Sequence, residues 1–174
     1  MIAMARPHLR PAEVYQREAD RSGLSEARTS SNATLGIAHE DFHLRLLQAR
    51  MARAADTEMV QAEPLEVMRY QPGQEYRPHR DYLPPSALQL RRPEAGQRKT
   101  TLCVYLNTVE EGGGTAFPMA ELEVQPRVGD AIVFENLDAL GAPDPRSLHA
   151  GLPVQRGEKW LATLWFREAT YRQF

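Results

Sequence analysis

Two histidines and one aspartate are the residues of this 174-residue chain whose types and spacing could do chemistry. His79 and Asp81 are separated only by Arg80, and His149 follows far downstream. In an extended strand alternate side chains share a face, so His79 and Asp81 point the same way and Arg80 points elsewhere. Two imidazoles and one carboxylate can cover one face of a ferrous ion and leave the opposite positions open. The pattern predicts a catalytic metal site with His79, Asp81 and His149 as ligands.

A lysine downstream of the second histidine is the next informative residue. Lys159 begins an apolar segment in which it would share one strand face with Thr163 and Trp165. Because an unpaired buried ammonium is costly, Lys159 on this face needs an anionic partner. A dicarboxylate co-substrate would provide one, with Thr163 as a second donor to the same carboxylate. Tyr70 and Tyr105 offer phenolic hydroxyls from neighbouring strands, so these residues are candidates for a cofactor-binding pocket.

The elements that must position these residues are mostly short strands. A helical pattern of apolar residues covers residues 40–55, and the first 37 residues are expected to be irregular apart from a short strand near residues 34–37. Alternation between glycine and proline turns predicts strands at 65–70, around His79, and at 100–107, 121–125, 131–134 and 160–167. We expect one domain over residues 1–174, mainly β with flanking helices, in an antiparallel sandwich or barrel.

The connection over residues 82–99 leaves directly from the predicted metal strand. It contains several prolines and the basic pairs 91–92 and 98–99. Connections of this length without structure of their own are commonly functional lids or disordered segments. We therefore expect a mobile cover over the site, with an ordinary solvated loop as the alternative.

Composition limits the classes of protein to which the chain could belong. Hydrophobic residues make up 42%, charged residues 25%, and the net charge is −2, so neither nucleic acid nor a membrane is an expected partner. Cys103 is the one cysteine, which excludes an internal disulfide and a multi-cysteine zinc site. We interpret it as a buried thiol. No segment resembles a signal peptide or a membrane span, so a cytoplasmic location is the expectation.

Three further stretches carry a family resemblance. They are residues 70–81 (YQPGQEYRPHRD), residues 105–118 (YLNTVEEGGGTAFP), and residues 147–154 (SLHAGLPV) with 157–160 (GEKW). Several separate motifs in this order resemble the prolyl 4-hydroxylase-type members of the 2-oxoglutarate- and Fe(II)-dependent dioxygenases. The similarity runs from about residue 28 to residue 168.

The resemblance implies a double-stranded β-helix (jelly-roll) core with helices packed on one face. It also implies Fe(II) as the metal, 2-oxoglutarate and O2 as co-substrates, and L-ascorbate as the reductant that rescues oxidised iron. By position, the resemblance makes His79, Asp81 and His149 the iron ligands, Lys159 the 2-oxoglutarate anchor, and Tyr70, Tyr105 and Thr163 pocket residues, with Trp165 on the same wall. Arg28 falls where relatives carry a strand near the substrate groove.

Two features depart from the family pattern. Relatives often have an aromatic or smaller residue at the position of Arg80, which by parity points away from the metal, towards substrate or solvent. The amino-terminal region is also short compared with many relatives, so part of the usual groove scaffold would be rearranged.

The function that we expect is hydroxylation of an unactivated C–H bond, with a peptidyl proline as the first choice and with release of succinate and CO2. The partner is then a protein or peptide substrate. Hydroxylation of a free amino acid or another small molecule is the alternative among hydroxylases. A nucleic-acid demethylase of the same superfamily, a non-catalytic metal-binding domain and a zinc hydrolase are further alternatives. The last would leave Lys159 unexplained.

Overall fold

Alternating apolar and polar residues, interrupted by glycine and proline turns, put most of the chain into short antiparallel strands. The computed structural model describes residues 1–16, 21–24 and 26–172. The strands are β1 (Arg10–Pro11), β2 (Glu13–Gln16), β3 (Arg21–Leu24), β4 (Ser31–Leu35), β5 (Leu65–Tyr70), β6 (Tyr76–His79), β7 (Arg98–Tyr105), β8 (Glu111–Gly112), β9 (Thr115–Phe117), β10 (Leu122–Val124), β11 (Ala131–Glu135), β12 (His149–Gly151), β13 (Val154–Arg156) and β14 (Lys159–Arg167). The α-helices are α1 (Ile2–Ala5), α2 (Phe42–Ala54) and α3 (Pro85–Leu90).

Two sheets carry the architecture. The larger one has the strand order β1-β4-β5-β14-β7-β11, and the smaller one has the order β10-β9-β12-β6. Neighbouring strands in both sheets are antiparallel. An apolar cluster that includes Tyr105 of β7, Phe117 of β9 and Leu161 of β14 joins the two sheets. The expected mainly β sandwich with flanking helices is therefore confirmed. None of the helices in the described ranges is both long and apolar enough to cross a bilayer.

Strand β14 lies at the centre of the larger sheet, and all of its residues are buried. Because side chains alternate along a strand, β14 contributes to two different cores. Trp160 and Phe166 belong to the outer cluster, which also contains Leu44 of α2. Leu161 and Trp165 belong to the cluster between the sheets. The face of β14 that carries Lys159 is thus the face turned towards the second sheet.

Helix α2 braces the outer face of the larger sheet, close to the predicted range of 40–55. Asp41 ends the preceding segment, and its carboxylate accepts a hydrogen bond from the Leu44 backbone N–H at 2.8 Å. This contact satisfies one of the free N–H groups at the helix start. The buried stripe includes Leu44, Met51 and Gln48, whose amide oxygen accepts a hydrogen bond from Arg172 at 3.1 Å. A polar residue therefore occupies a core-facing position that the apolar pattern alone did not predict.

The described part of the amino-terminal 37 residues contains more regular structure than the sequence predicted. Helix α1 and strands β1 and β4 lie there, and β4 pairs with β5 along its whole length, from Ser31↔Arg69 to Leu35↔Leu65. The sequence of β4 does not look like a buried strand, because only Ala33 and Leu35, on its core face, are apolar and buried. The expectation of an irregular region was wrong for this segment, and the strand near 34–37 lies a few residues earlier.

The connection after β6 also has structure of its own. It forms α3 and a 3₁₀ turn at Pro93–Ala95, and the small residues Ala87 and Ala95 are buried. The Gln97 side chain accepts a hydrogen bond from the Leu83 N–H at 2.6 Å and donates one to the Leu83 carbonyl at 2.8 Å. The segment is therefore packed onto the domain and has more regular structure than the sequence indicated. Leu83 and Ala87 line the cavity, so part of the segment lies at the site, and its mobility stays a prediction.

Candidate active site

The end of β6 and the start of β12 bring the three predicted metal ligands together. His79 and His149 are direct partners across these antiparallel strands, and Asp81 follows β6 by two residues. One ligand atom from each of the three side chains lies within 4.8 Å of the others. Asp81 Oδ1 is 3.7 Å from His79 Nε2, and Asp81 Oδ2 is 3.9 Å from His149 Nε2. These atoms converge on one point, as ligands on one face of a metal would.

Backbone carbonyls orient both imidazoles. His79 Nδ1 lies 2.9 Å from the Arg77 carbonyl oxygen, and His149 Nδ1 lies 2.8 Å from the Ser147 carbonyl oxygen. Because a carbonyl can only accept, each Nδ1 carries the proton and donates it. In a neutral imidazole held this way, Nε2 is the nitrogen with the free lone pair, and in both residues it faces Asp81, as a metal ligand requires.

A chain of polar side chains holds the third ligand. Thr101 on β7 donates its hydroxyl to Asp81 Oδ2 at 2.9 Å. Asn136 in turn donates its amide N–H to the Thr101 oxygen at 2.8 Å. Arg98 donates to the Asp81 backbone carbonyl at 3.4 Å. Thr101 and Asn136 were not predicted from the sequence, because their contact depends on the pairing of β7 with β11 rather than on any local pattern.

Burial and charge set the protonation state of the ligands. Burial, together with nearby His149, lowers the pKa of His79 to about 3. Burial alone would raise the pKa of Asp81, but the neighbouring His149, His79 and Arg98 lower it to about 2. At neutral pH His79 is therefore a neutral imidazole and Asp81 is an ionised carboxylate. Metal binding needs ligands in these forms, so the donor set fits Fe(II).

Lys159 lies in the same cavity as the metal ligands, and no counter-ion from the described part of the chain pairs with its ammonium. Its residue is 1% exposed, and its ammonium donates to Thr115 Oγ1 at 3.2 Å and to the Gly114 carbonyl at 3.5 Å. The rings of Tyr70 and Tyr105 are centred 5.4 and 5.5 Å from Nζ. Among the described residues no carboxylate lies within ion-pair distance of Nζ. Burial lowers the pKa of Lys159 to about 8, so most of these ammonium groups remain charged at neutral pH. An anionic ligand fits this position.

The predicted pocket residues differ in their placement. Tyr70 and Thr163 line the cavity, and the Thr163 hydroxyl lies 3.3 Å from Cys103 Sγ. Tyr105 is fully buried, and its hydroxyl donates to Thr115 Oγ1 at 2.7 Å. Tyr105 therefore orients Thr115, and Thr115 contacts Lys159. Cys103 is only partly buried and lines the cavity, so the expected buried thiol is confirmed only in part. Desolvation still raises the pKa of its thiol to about 12.

The glycine-rich turn before β9 places Thr115 beside Lys159. Gly112 has φ of 73°, and a Cβ built there would lie 2.6 Å from the Pro153 carbonyl oxygen. Only glycine satisfies both conditions. The chain can then turn so that Gly114 and Thr115 face Lys159. The sequence indicated a tight turn here, but it gave no signal that the next residue would contact the buried cation.

The cavity has a volume of about 1370 Å³, which exceeds the range of roughly 300–1,000 Å³ for small-ligand pockets. From Lys159 it passes the metal ligands and continues along β5, β4 and β1. Trp165 lies on its wall with the Arg98 guanidinium 3.9 Å from the ring centre. Arg80 is exposed at the rim, as strand parity predicted. A second molecule therefore has room beside a bound dicarboxylate.

Arg28 occupies the groove between the metal ligands and the amino-terminal strands. It is 8% exposed, donates from Nε to Ser30 Oγ at 3.0 Å, and lies 5.0 Å from the centre of the Tyr76 ring. Its buried Nη2 has no hydrogen-bond partner in the part of the chain that the structure describes. The Tyr76 ring stacks on His79 with centroids 3.4 Å apart. Among the described residues, Arg28 Nη2 is thus a donor without an acceptor, and only the Tyr76 ring separates the guanidinium from the metal ligand His79.

Comparison with known proteins agrees with this geometry. A model of the 2OG-Fe(II) oxygenase superfamily matches residues 65–167. The chain is 34% identical to probable prolyl 4-hydroxylase 3 of Arabidopsis thaliana over 99% of its own length and 65% of that protein. It is 37% identical to prolyl 4-hydroxylase 1 of the same plant, over 95% of its length and 62% of that protein. The chain therefore spans a little under two thirds of these relatives.

Solved structures show the same similarity. The viral collagen prolyl hydroxylase of Paramecium Bursaria Chlorella virus-1, in its 2OG complex, superposes with a TM-score of 0.66 at 30% identity, covering 80% of this chain and 79% of that one. A prolyl-4-hydroxylase of Pseudomonas putida shares the fold with a TM-score of 0.63 at 23% identity, covering 94% of this chain and 79% of that one. The chain belongs to the 2OG-Fe(II) oxygenase superfamily. Within it, the chain is of the prolyl 4-hydroxylase type, and the expected jelly-roll core is confirmed.

Proposed function

We propose that this protein is a 2-oxoglutarate- and Fe(II)-dependent dioxygenase that hydroxylates a peptidyl proline. The observation that carries the proposal is that one cavity holds both a His-Asp-His face and a buried lysine that has no counter-ion among the described residues. Fe(II) and 2-oxoglutarate together supply the charges and coordination that these two features need. The choice of proline is supported by the prolyl hydroxylases that the chain resembles.

His79, Asp81 and His149 would hold Fe(II), and Lys159 would hold the distal carboxylate of 2-oxoglutarate. When both are bound, they supply with O2 the oxidative decarboxylation that releases succinate and CO2 and places one oxygen atom in a C–H bond. The protein orients these groups in advance. Thr101 and Asn136 fix the Asp81 carboxylate, so little rearrangement is needed on metal binding.

Aromatic side chains would keep water away from the reacting centre. The rings of Phe134 and Phe117 are centred 4.8 and 5.5 Å from the His149 ring, and Trp165 lies on the wall nearby. Exclusion of water would limit side reactions during turnover. On the substrate side, the Arg28 Nη2 can donate to a carbonyl of an extended peptide. A free amino acid would fill only a small part of this long groove.

Three further expectations belong to the same proposal. L-Ascorbate is the reductant that would restore oxidised iron, and this rests on the family resemblance alone. A cytoplasmic location rests on the composition of the sequence, including its one cysteine. The chain as a single catalytic domain rests on its length and on the continuous sheets that connect residues 10–167.

Succinate formation from 2-oxoglutarate tests the proposal. The protein is loaded with Fe(II) without air, and the reaction is started with O2 in the presence and absence of proline-rich peptides. We expect iron-dependent succinate that increases with peptide, and a gain of one oxygen atom on proline by mass spectrometry.

Two variants serve as reference points for this assay. Asp81→Ala should lose iron binding and succinate formation together, because a ligand is removed. His43→Ala changes a histidine whose side chain is 88% exposed, so it should behave as wild type. Wild-type turnover by Asp81→Ala would refute the site assignment.

A further inference from the structure

The floor of the outer groove contains a glutamate with no role in the site described so far. Glu66 lies on β5, on the same strand face as Met68 and Tyr70, and all three line the cavity. Its direct neighbours across the sheet are Thr34 on β4 and Thr163 on β14. Glu66 therefore occupies the floor where the Lys159 pocket opens into the groove along the amino-terminal strands.

Neutral donors from β4 hold the Glu66 carboxylate in place. Asn32 donates its amide N–H to Oε2 at 2.6 Å, and Thr34 donates its hydroxyl to Oε1. Neither donor carries a charge, and no lysine, arginine or histidine within the described ranges forms a salt bridge with Glu66. The carboxylate is thus oriented in advance but has no direct ion-pair partner among the described residues, which favours binding of a cation.

The buried glutamate nearby shows the contrast. Glu63 also lines the cavity, but it accepts hydrogen bonds from Arg98 Nε and Nη2 at 2.8 and 2.7 Å and forms an ion pair with Arg167 at 3.1 Å. The remaining Nη1 of Arg98 donates to the Asp81 carbonyl. Burial alone would lower the pKa of Arg98, but Glu63, Asp81 and Glu66 raise it. Glu66 therefore acts on Arg98 through space and receives none of its hydrogen bonds.

We infer that Glu66 is a specificity-determining residue that binds a lysine or arginine side chain of the peptide substrate. The inference rests on the proposed function, because it assumes a peptide in this groove. A metal is the less suitable occupant, since no further His, Cys, Asp or Glu of the described residues joins Glu66 in a metal-binding group. An ammonium or guanidinium needs only the one oriented carboxylate.

The position of Glu66 also suits a peptide rather than a free amino acid. Along β5, Glu66 is four residues from Tyr70, which is roughly 13 Å at the rise of a strand. An extended peptide would cover this length with about four residues. The basic residue is therefore expected within a few positions of the target proline. Arg10 lines the groove opposite Asn32, one strand further out, so a positively charged side chain lies beyond Glu66 on this side.

Peptide binding measured by fluorescence anisotropy tests the inference without requiring turnover. The probes are labelled proline peptides of equal length that carry lysine, norleucine or glutamate at each position near the proline. We expect the wild-type protein to bind one lysine peptide roughly tenfold more tightly than its norleucine counterpart, with a smaller difference at high salt.

Substitutions at Glu66 should first abolish and then reverse the preference for the lysine peptide, depending on the charge of the new side chain. Glu66→Gln keeps the shape and one acceptor, so the lysine preference should disappear. Glu66→Lys should favour the glutamate peptide instead. Glu135→Gln is the matched control, because Glu135 is also a strand glutamate held by a threonine, Thr100, at 3.0 Å, but lies outside the cavity. It should keep the wild-type preference.

The outcomes separate this inference from the proposed function. Three results would overturn the role of Glu66: the wild-type protein shows no charge preference, it binds none of the peptides, or Glu66→Gln keeps the wild-type lysine preference. Hydroxylation of proline peptides regardless of their charge would then leave the proposed function standing. Conversely, a lysine preference that Glu66→Gln removes, in a protein that hydroxylates none of these peptides, would support the role of Glu66 and refute prolyl hydroxylation.

Discussion

Lys159 and Arg167 are the first and last residues of β14, and each is 1% exposed, yet their surroundings are opposite. Arg167 forms an ion pair with Glu63 at 3.1 Å and donates to the carbonyls of Gly96 and Arg91 at 2.8 and 3.1 Å. Lys159 contacts a hydroxyl and one carbonyl. The protein satisfies the charge at one end of the strand and leaves the charge at the other end to a ligand.

The comparison distinguishes a structural cation from a functional one by its partners. Burying a charge is costly unless it is paired and hydrogen-bonded, so an unpaired buried cation lowers the stability of the ligand-free protein. A protein retains such a group where a bound anion compensates for it. The two ends of β14 should therefore respond differently to the same substitution by methionine.

The largest effect is expected at the structural end. Arg167→Met would remove the hydrogen bonds that the carbonyls of Gly96 and Arg91 accept from the guanidinium, and it would remove one of two cations from Glu63. We expect the free energy of unfolding to fall by about 3–5 kcal/mol, measured by urea denaturation. The control is Arg156→Met, since that side chain is 65% exposed and its loss should change stability little. Equal stability of the two variants would contradict the structural role of Arg167.

The opposite sign is expected at the functional end. Lys159→Met should weaken 2-oxoglutarate binding by about 100-fold, because it removes the cation that would face the distal carboxylate. It should also raise the free energy of unfolding by about 1–3 kcal/mol, because the uncompensated charge is removed. Binding can be followed by tryptophan fluorescence with Mn²⁺ in place of iron. If the variant were destabilised like Arg167→Met, the contrast between the two ends would be lost.

A smaller effect is expected from pH. The pKa of Lys159 is lowered to about 8, so the ammonium is charged below pH 8 and is increasingly neutral above it. The dissociation constant of 2-oxoglutarate should rise by about tenfold per pH unit above 8, since binding must then take up a proton. The stability cost of the charge is complete below pH 8 and diminishes as the pH rises towards the unfolded pKa. Lys159→Arg keeps its charge, so its dissociation constant should stay flat over pH 8–10; a parallel rise would point to another group.

The sequence was most informative where functional residues are spaced two positions apart along a strand, because that spacing puts them on one face. His79 and Asp81 share a face because they are two residues apart, and Lys159, Thr163 and Trp165 do so for the same reason. These positions were predicted together, and the structure brings them to one cavity. Their roles as ligands and anchor stay predictions until binding is measured.

The missed residues depend on which strands become neighbours. Thr115 contacts Lys159, and Asn136 supports Thr101, only after strands far apart in sequence have paired. Arg98 belonged to a basic pair that we interpreted as part of a connection, whereas Glu63 draws it into the core. Strand β4 was predicted a few residues too late, at 34–37, because its groove-facing residues Asn32 and Thr34 are polar and resemble those of a loop.

The alternation of β14 has a consequence for how such a protein can diverge. Trp160 and Phe166 face the helix side, and Leu161 and Trp165 face the cavity. Mutations at every second position of one strand can therefore reshape the pocket while the packing behind it is inherited unchanged. The substrate range and the fold of this domain can vary over evolutionary time as nearly independent characters.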